Sequence, residues 1–459
     1  MFIMPIKASI SGIRGTIDDS DGLRPDVISQ YVLAYGTWLL NSFDYRLTVI
    51  LARDSRPSGK LINNIVKGTL NYLGIKVIDL GLVSTPTAEI AVLEFKAQGS
   101  IIITASHNPS NWNALKLLNE KGEFLNSDSM NNVLEIFTSK KFHKGANKKV
   151  SNKVIADFNS IHIKKILELK AVSKETIKKA NFKVVVDGIN SVGGPAVVQL
   201  LKALGINNIV KLNCDNSGDF NHSPEPLAEN LSELALVVKN EKADIGLAVD
   251  PDGDRLAIVC QDGSFLGEEY TLVAVADYIL SQFGSGNTVS NLSSSRALAD
   301  VTNKYNGRHF SAKVGEINVV EKMKEEEAVI GGEGNGGVIY PALHYGRDAL
   351  VGVALFLSYL AILDKPCSFF KDYLPKYYLM KYKVELKEGE KIENVFEKVK
   401  AHFSETKVNQ ADGLKLDFEN SWVHLRASNT EPIIRLYIEG KTKKMCNDLY
   451  RKVLNIIEK

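Results

Sequence analysis

A short β-branched run that ends at a proline-held turn constrains the fold of this chain most. The run Gly99–Ile103 reads G-S-I-I-I and predicts a buried strand, and T-A-S-H-N-P follows it. Because Pro109 disfavours helical backbone at Asn108, the chain must turn here. The Ser106 hydroxyl is then held at the carboxyl edge of the strand, where it could act as a nucleophile or carry a phosphoryl group. The alternative is a turn that only reverses the chain.

Strand and helix patterns alternate around this junction. Apolar periodicity predicts helices over residues 26–43 and 58–73, and strands over residues 47–52 and 76–80. This alternation favours an α/β fold in which crossover helices join parallel strands. Because 459 residues exceed a single hydrophobic core, three or four domains are expected. The lysine-rich stretch 138–152 is a candidate boundary.

The charge balance and the cysteines indicate the kind of partner and compartment. Lys plus Arg number 56 and Asp plus Glu number 54, so the net charge is +2 and no nucleic-acid or membrane partner is expected. The four cysteines are widely spaced, which predicts no zinc site or redox pair and fits a reducing cytoplasm. The first ten residues lack the pattern of a signal peptide. The longest apolar run, Ala349–Leu363, predicts a buried helix and is too short to span a bilayer.

A second signal is the acidic turn D-P-D-G-D-R at residues 250–255, which follows a strand pattern over residues 244–249. Three carboxylates at alternate positions can converge on one hard cation, Mg²⁺ before Ca²⁺. An EF-hand would need glycine sixth and glutamate twelfth, where this chain has Arg255 and Gln261. A metal-free acidic turn is the alternative, but three close carboxylates would repel one another without a cation.

Two glycine-rich segments are candidate ligand-binding loops. Residues 331–337 read G-G-E-G-N-G-G, so the backbone could pack closely around a ligand whose hydroxyls Glu333 and Asn335 would bind. A flexible linker is the alternative, although apolar residues flank the segment on both sides. Residues 188–194 contain neither a dinucleotide-binding nor a P-loop spacing, which favours a structural turn.

Two arginine-containing segments are candidate phosphate contacts. The segment 426–432 reads R-A-S-N-T-E-P and precedes an I-I-R-L-Y run that contains Arg435. An arginine, two hydroxyls and an amide on one turn form a donor set for a phosphate dianion, and a polar hairpin turn is the alternative. Near the N-terminus, S-G-I-R-G presents Arg14 on a tight loop, which could equally be an ordinary surface loop.

These segments, in this order, resemble the α-D-phosphohexomutases, which include phosphoglucomutase, phosphomannomutase and phosphoglucosamine mutase. The resemblance covers nearly the whole chain. It implies four domains around a central cleft: three similar α/β units with mixed sheets and a last, smaller α+β domain. We place the domain limits at 1–155 with the phosphoserine loop, 156–258 with the metal loop, 259–370 with the sugar loop, and 371–459 with the phosphate loop.

The resemblance also implies a function and a set of site residues. The chain would interconvert hexose 6-phosphate and hexose 1-phosphate through a phosphoserine and a bisphosphorylated sugar, with hexose 1,6-bisphosphate as activator. The catalytic residues would be Ser106, His107, Lys116 and Arg14. One Mg²⁺ would be bound by Ser106, Asp250, Asp252 and Asp254. The substrate would be contacted by Arg255, Glu333, Asn335 and Lys313. Its distal phosphate would be bound by Arg426, Ser428, Asn429, Thr430 and Arg435.

The chain departs from the family pattern at two places. Ala114 stands where glycine is common, which implies only a slightly different loop. Gly337 stands where histidine is common, so that histidine's general-acid role does not carry over, and His344 is the candidate substitute. The G-E-G-N-G-G segment and the missing histidine resemble microbial phosphoglucosamine mutases, and this resemblance implies glucosamine phosphate as the substrate, with mannose or glucose phosphate as the alternative.

Two other classes of protein fit some of these segments. A serine-ester phosphatase would not need a second phosphate loop, and a non-catalytic sugar-phosphate sensor would need neither Ser106 nor the acidic turn. Small sugar phosphates are the expected partners, and the chain is expected to be a monomer or homodimer.

Overall fold

The computed structural model describes residues 6–145, 150–386, 391–403, 405–427 and 433–458. Within these ranges the chain forms four successive β-sheets, of seven, four, four and five strands. The first three sheets mix parallel and antiparallel pairs, and the last is antiparallel throughout. The predicted fold class is confirmed: three α/β units precede a smaller α+β unit.

The first unit begins near the N-terminus and ends at a short edge strand. Its elements are β1 (Lys7–Ser9), β2 (Gly12–Thr16), α1 (Pro25–Ser42), β3 (Thr48–Arg53), α2 (Gly59–Tyr72), β4 (Lys76–Leu82), α3 (Thr85–Phe95), β5 (Gly99–Ile103), β6 (Trp112–Leu118), α4 (Ser127–Ser139) and β7 (Lys153–Val154). The strands are ordered β1-β2-β6-β5-β3-β4-β7. The predicted strand Gly99–Ile103 is confirmed and is fully buried, as its unbroken apolar run requires.

The second and third units each contain a four-stranded sheet. The second comprises α5 (Asn159–Leu167), α6 (Lys174–Ala180), β8 (Lys183–Asp187), α7 (Gly193–Ala203), β9 (Asn208–Leu212), α8 (Ser232–Asn240), β10 (Ile245–Val249) and β11 (Leu256–Cys260). The third comprises α9 (Glu268–Phe283), β12 (Thr288–Asn291), α10 (Ala297–Lys304), β13 (His309–Ala312), α11 (Glu316–Glu325), β14 (Ile330–Glu333), β15 (Gly337–Ile339), α12 (Ala349–Leu363) and α13 (Phe370–Tyr373). The strand orders are β11-β10-β8-β9 and β13-β12-β14-β15.

The fourth unit is a five-stranded sheet with two helices. Its elements are β16 (Tyr378–Glu385), α14 (Ile392–His402), β17 (Lys407–Asn409), β18 (Leu414–Asp417), β19 (Ser421–Ala427), β20 (Ile433–Gly440) and α15 (Lys443–Glu458), with the strand order β16-β20-β19-β18-β17. The domain limits expected from the sequence stay a prediction. The one at 258/259 falls inside β11, which belongs to the second sheet.

One arrangement recurs in the first three sheets. A strand parallel to its inner neighbour turns directly into an antiparallel strand: β5 into β6, β10 into β11, and β14 into β15. These three turns contain three of the four motifs singled out in the sequence. The fourth motif lies between β19 and β20, and its residues 428–432 are outside the described part of the chain.

The first three units share hydrophobic cores. One cluster joins Leu247 of the second sheet to Leu272 and the α12 residues of the third unit. Another joins Ile50 of the first sheet to Met323 and Ile339 of the third unit. The fourth unit has its own core. Apolar packing therefore holds the first three units together as one body.

Helix α12 is the centre of the shared core. All but its last turn is buried, as its apolar sequence predicts. In the described residues, no single helix has the length and hydropathy to cross a membrane. Only α12 taken together with the segment Cys367–Tyr373 would meet that criterion, and the two are bent by 91°.

Candidate active site

Ser106 lies on the turn after β5 in an unusual backbone conformation. Its φ is +50°, in the left-handed region that few non-glycine residues adopt. Its N–H donates to Thr104 Oγ1 at 2.9 Å, and its Oγ donates to Asp250 Oδ2 at 2.7 Å. The residue is 2% exposed. The fold thus holds the hydroxyl in a single direction, towards the acidic turn of the second unit.

Arg56 fixes the Ser106 loop, a role that the sequence analysis did not predict. Its two terminal nitrogens donate to the main-chain carbonyls of Ser106, Asn108, Pro109 and Trp112. Its Nε donates to Asp54 Oδ2 at 3.0 Å, and the same oxygen accepts from Thr104 Oγ1 at 2.6 Å. Arg56 is fully buried. Arg56 belongs to the R-D-S-R-P segment after β3, but the carbonyls to which it donates lie some 50 residues away, so the local sequence does not indicate this role.

The three aspartates of the acidic turn converge, as expected. One oxygen from each of Asp250, Asp252 and Asp254 lies within 4.8 Å of the others, and all three residues are buried. Burial and the two neighbouring carboxylates raise the pKa of Asp250. Among the described residues, Asp252 Oδ1 and Asp254 Oδ1 have no hydrogen-bond partner. Buried carboxylate oxygens without donors fit a hard divalent cation, which would satisfy all three.

Lys116 lies on β6 and is paired with this turn. Its Nζ is 2.5 Å from Asp252 Oδ2 and 3.4 Å from Asp254 Oδ2. Burial alone would lower its pKa, but the two aspartates outweigh burial and raise it. Thr85 Oγ1 donates to the same Asp252 oxygen at 2.6 Å. Lys116 is therefore a protonated, buried cation beside the candidate metal site.

His107 and Arg14 flank Ser106. His107 Nδ1 is 3.3 Å from Ser106 Oγ, and Arg14 donates to Asn108 Oδ1 at 3.1 Å. Burial and the nearby Arg255 and Arg14 guanidinium groups lower the pKa of His107 well below its usual value. The structure thus brings all four predicted catalytic side chains to the first unit's side of the acidic turn.

The glycine-rich turn is packed against protein. A Cβ on Gly334 would lie 1.9 Å from Glu269 Oε2, and one on Gly336 would lie 2.4 Å from the Leu256 carbonyl. These glycines therefore admit neighbouring protein atoms, whereas we expected them to admit a ligand. Asn335 is half-buried, and the one hydrogen bond that its Oδ1 accepts from the described residues is a long one, 3.3 Å from the Gly337 N–H.

Glu333 is also held by protein. Its Oε1 accepts from Asn291 at 2.8 Å and from the Gly315 N–H at 3.1 Å, and its Oε2 accepts from Arg347 at 2.7 Å. Burial would raise its pKa, but Arg347 and Asn291 outweigh burial and lower it. Glu333 is thus an ionised, buried carboxylate. Arg347 was not predicted from the sequence.

The remaining predicted substrate contacts differ in exposure. Lys313 is exposed on the loop before α11. Arg255 is 8% exposed, and its Nε has no hydrogen-bond partner in the described part of the chain. The nearest carboxylate oxygens to Arg255 are 3.7 Å away, on Asp254 and Glu225. Arg255 is therefore a buried cation whose Nε can still donate to an anionic ligand, whereas Lys313 is exposed to solvent.

Two arginines face each other in the last sheet. Arg426 on β19 is directly opposite Arg435 on β20, and both are half-buried. Arg426 Nε lies 2.9 Å from Asp412 Oδ2. Like charges at opposed positions destabilise a sheet unless an anion offsets them. The predicted phosphate contacts Ser428, Asn429 and Thr430 lie outside the described residues.

A continuous path of polar contacts joins the four motifs. Its links are hydrogen bonds or ion pairs of 2.7 to 3.1 Å, together with one peptide bond. It runs through Ser106, Asp250, Asp254, Arg347, Glu333, Gly315, Val314, Asp412 and Arg426. Segments more than 300 residues apart in sequence therefore form one site.

Four models of one protein family match the chain in sequence order. They are the Phosphoglucomutase/phosphomannomutase alpha/beta/alpha domains I, II and III, over residues 6–144, 160–263 and 267–377, and the C-terminal domain, over residues 382–456. The chain belongs to the phosphoglucomutase/phosphomannomutase family. The predicted family is confirmed, and with it the enzyme class, a phosphohexomutase.

Individual relatives match this phosphohexomutase over its full length. A Thermococcus kodakarensis protein named phosphoglucomutase/phosphomannomutase is 34% identical, and the alignment covers 97% of each chain. A Sulfurisphaera tokodaii protein named phosphoglucosamine/phosphogalactosamine mutase is 32% identical, with 97% of this chain and 98% of its own covered. The crystal structure of a family protein from Burkholderia thailandensis is 27% identical, with a TM-score of 0.84 and 98% of each chain covered.

His344 of this phosphohexomutase lies in a buried network. Its Nδ1 is 3.3 Å from Glu89 Oε2 and its Nε2 is 3.3 Å from Asp348 Oδ2, which also lies 2.8 Å from His162 Nε2. Glu89, His162 and the pair His344 and Asp348 come from the first, second and third units. His344 thus joins units by ion pairs, and the side chain next to Gly337 is that of Arg347.

This network predicts a pH-dependent contribution to stability. Burial would lower the pKa of His344, but Asp348 and Glu89 outweigh burial and raise it to about 10. Burial also raises the pKa of Glu89 to about 8, so below that pH Asp348 is the partner that holds the His344 charge. A raised histidine pKa contributes stability that is complete below the unfolded value, about 6.5, and is lost as pH rises through 10. His344→Gln should therefore lower the thermal midpoint most near pH 6 and progressively less towards pH 10. The exposed His143→Gln is the control, and an equal His344→Gln deficit at both pH values would contradict this account.

Arg56 provides a second prediction. Arg56→Met leaves Asp54 buried without its cation and removes the donors to the Ser106 loop. The free energy of unfolding should therefore fall by about 3–5 kcal/mol. Thermal unfolding and hydrogen exchange of amides 105–112 would measure the change. The exposed Arg46→Met is the matched control. Similar melting and exchange in both variants would show that Arg56 does not hold the loop.

Proposed function

We propose that this phosphohexomutase converts glucosamine 6-phosphate to glucosamine 1-phosphate through a phosphoryl group on Ser106. The observation that carries the proposal is the position of Ser106 Oγ, 2.7 Å from a cluster of three buried aspartates that a polar path joins to Arg426. The G-E-G-N-G-G segment and the Sulfurisphaera relative support the amino sugar. Glucose or mannose phosphate is the second candidate, which the Thermococcus relative favours.

The aspartates are proposed to bind Mg²⁺. Asp250, Asp252 and Asp254 supply only oxygen ligands, two of which lack any donor among the described residues. When bound, the ion would draw charge from a phosphoryl oxygen and stabilise the transition state of transfer.

Transfer would proceed in two opposite halves. In the first, a sugar hydroxyl loses its proton as it attacks the phosphorus on Ser106, the bond from phosphorus to Ser106 Oγ breaks, Ser106 Oγ takes up a proton, and a sugar bisphosphate forms. The intermediate turns round, Ser106 Oγ loses that proton as it attacks the other phosphate, and the bond from that phosphorus to the sugar oxygen breaks. Lys116 is protonated, so its Nζ can donate a proton to the departing sugar oxygen. Arg426 and Arg435 would bind whichever phosphate is not reacting, and hexose 1,6-bisphosphate would restore the phosphoserine when it is lost.

Phosphorus NMR with Mg²⁺ and trace hexose 1,6-bisphosphate tests the reaction. Glucosamine 6-phosphate, glucose 6-phosphate and mannose 6-phosphate are supplied separately, and we expect the 1-phosphate to form fastest from glucosamine 6-phosphate. Ser106→Ala should reduce turnover to the uncatalysed background, while the exposed neighbour Ser110→Ala should leave it unchanged. Faster turnover of another hexose reassigns the substrate, and inorganic phosphate as the sole product would indicate a phosphatase.

Metal removal provides a separate test. Chelation with EDTA should abolish turnover, and added Mg²⁺ should restore it. Without the cation, the three carboxylates would repel the transferring phosphoryl group and would not stabilise its charge. Asp252→Asn should raise the Mg²⁺ concentration needed for half-maximal rate by about tenfold or more, since it removes a charged ligand. The exposed Asp128→Asn is the control. Full activity in EDTA would contradict the assigned metal site.

A further inference from the structure

Gly337 and Arg347 exclude each other's side chains. A Cβ on Gly337 would lie 2.3 Å from Arg347 Cδ and 3.0 Å from its Cγ. The contact with Cδ is shorter than real Cβ atoms make, and the contact with Cγ is tighter than most of them make. The atoms met belong to the middle of a side chain that is anchored at its far end, so they cannot move aside freely. Arg347 therefore occupies the space that a side chain at position 337 would need, which explains why this chain has glycine where histidine is common in the family.

Every nitrogen of the Arg347 side chain is bonded to a different carboxylate. Nε donates to Glu316 Oε2 at 3.0 Å, Nη1 to Glu333 Oε2 at 2.7 Å, and Nη2 to Asp254 Oδ2 at 2.7 Å. Its main-chain N–H donates to the other Glu316 oxygen at 3.0 Å. The residue is 8% exposed. The planar guanidinium donates in three fixed directions from three separate nitrogens, whereas a lysine ammonium has all three donors on one nitrogen, so lysine is not an equivalent replacement.

These contacts set the orientation of two functional loops. Arg347 takes Asp254 Oδ2, which leaves Oδ1 as the oxygen without a hydrogen-bond donor in the described chain. The same guanidinium holds Glu333 by one oxygen, while Asn291 and Gly315 hold the other. Arg347 thus makes the shorter of two contacts to Asp254 Oδ2, which Lys116 Nζ also approaches at 3.4 Å, and it fixes Glu333 relative to the acidic turn.

We propose that Arg347 is a positioning residue that couples the sugar loop to the metal loop, and that Gly337 is required to admit it. The inference rests on the proposed function, which assigns those loops their roles. It adds a residue that the resemblance to the family did not supply.

A double-mutant cycle tests the steric half of the proposal. Gly337→Ala should displace Arg347 and reduce kcat at saturating substrate and Mg²⁺ by at least about tenfold, since partners of metal ligands commonly contribute 10–100-fold. In an Arg347→Ala background, the same change should have almost no further effect, because the stem it collides with is gone. Gly68→Ala, whose added Cβ meets nothing within 4 Å, is the control. Full activity of Gly337→Ala, or independent effects of the two changes, would overturn the proposal.

Direct metal binding tests the positioning half without any sugar. The dissociation constant of Mn²⁺, used as the probe and measured by electron paramagnetic resonance, should rise about tenfold in Arg347→Lys. A purely structural role would lower the thermal midpoint and leave Mn²⁺ affinity of the folded protein unchanged, and that result would overturn the proposal. If the wild-type protein transfers no phosphate, the proposed function fails, whereas the Mn²⁺ comparison still decides the role of Arg347.

Discussion

The concentration of buried negative charge is the constraint on which the rest of the site depends. Asp250, Asp252 and Asp254 lie together at 0–1% exposure, and Glu316 and Glu333 lie close behind them. Carboxylates at such depth are costly unless cations or hydrogen-bond donors surround them. The fold provides Lys116 from the first unit and Arg347 from the third, and each takes one oxygen of an aspartate. The aspartate oxygens that remain without donors are the ones proposed to bind a metal ion.

The topology explains how distant segments reach this point. In each of the first three sheets, the turn that contains a motif joins a parallel strand to its antiparallel neighbour. The three motifs therefore lie at equivalent positions in three similar units. Apolar cores shared between the units keep these corners facing one another. A turn at such a corner needs only a short sequence to present its side chains, which is why each motif is compact.

That compactness sets how much could be predicted from the sequence. Ser106 and the three aspartates were predictable because each group is complete within one turn, and alternate positions bring carboxylates together locally. Arg56 and Arg347 were missed because their partners lie far away in sequence and nothing in the local pattern marks them. The glycines at 331–337 predict close packing around a ligand, whereas in the structure Gly334, Gly336 and Gly337 pack against Glu269, Leu256 and Arg347. His344 is a candidate general acid from its imidazole and its closeness to Gly337 in sequence. In the structure it instead forms ion pairs with Glu89 and Asp348, which lie in different units.

The fourth unit is attached by a different kind of contact, and this difference bears on the reaction. It has its own hydrophobic core and meets the third unit through polar contacts, such as Lys415 Nζ to the Leu292 carbonyl and the Arg296 N–H to Glu439. Such contacts exchange with water at little cost, whereas the shared apolar cores do not. An intermediate that must turn round requires one wall of its site to move, and the polar boundary is where that movement costs least.

Asp412 links this boundary to substrate binding. It pairs with Arg426 and also accepts the Val314 N–H, next to the glycine that holds Glu333. A phosphate dianion on Arg426 must compete with Asp412 for the guanidinium. Phosphate binding would then release Asp412 from Arg426 and leave it bonded to the Val314 N–H. If Arg426 binds the distal phosphate as proposed, the ion pair with Asp412 would connect that phosphate to Glu333, Arg347 and the acidic turn.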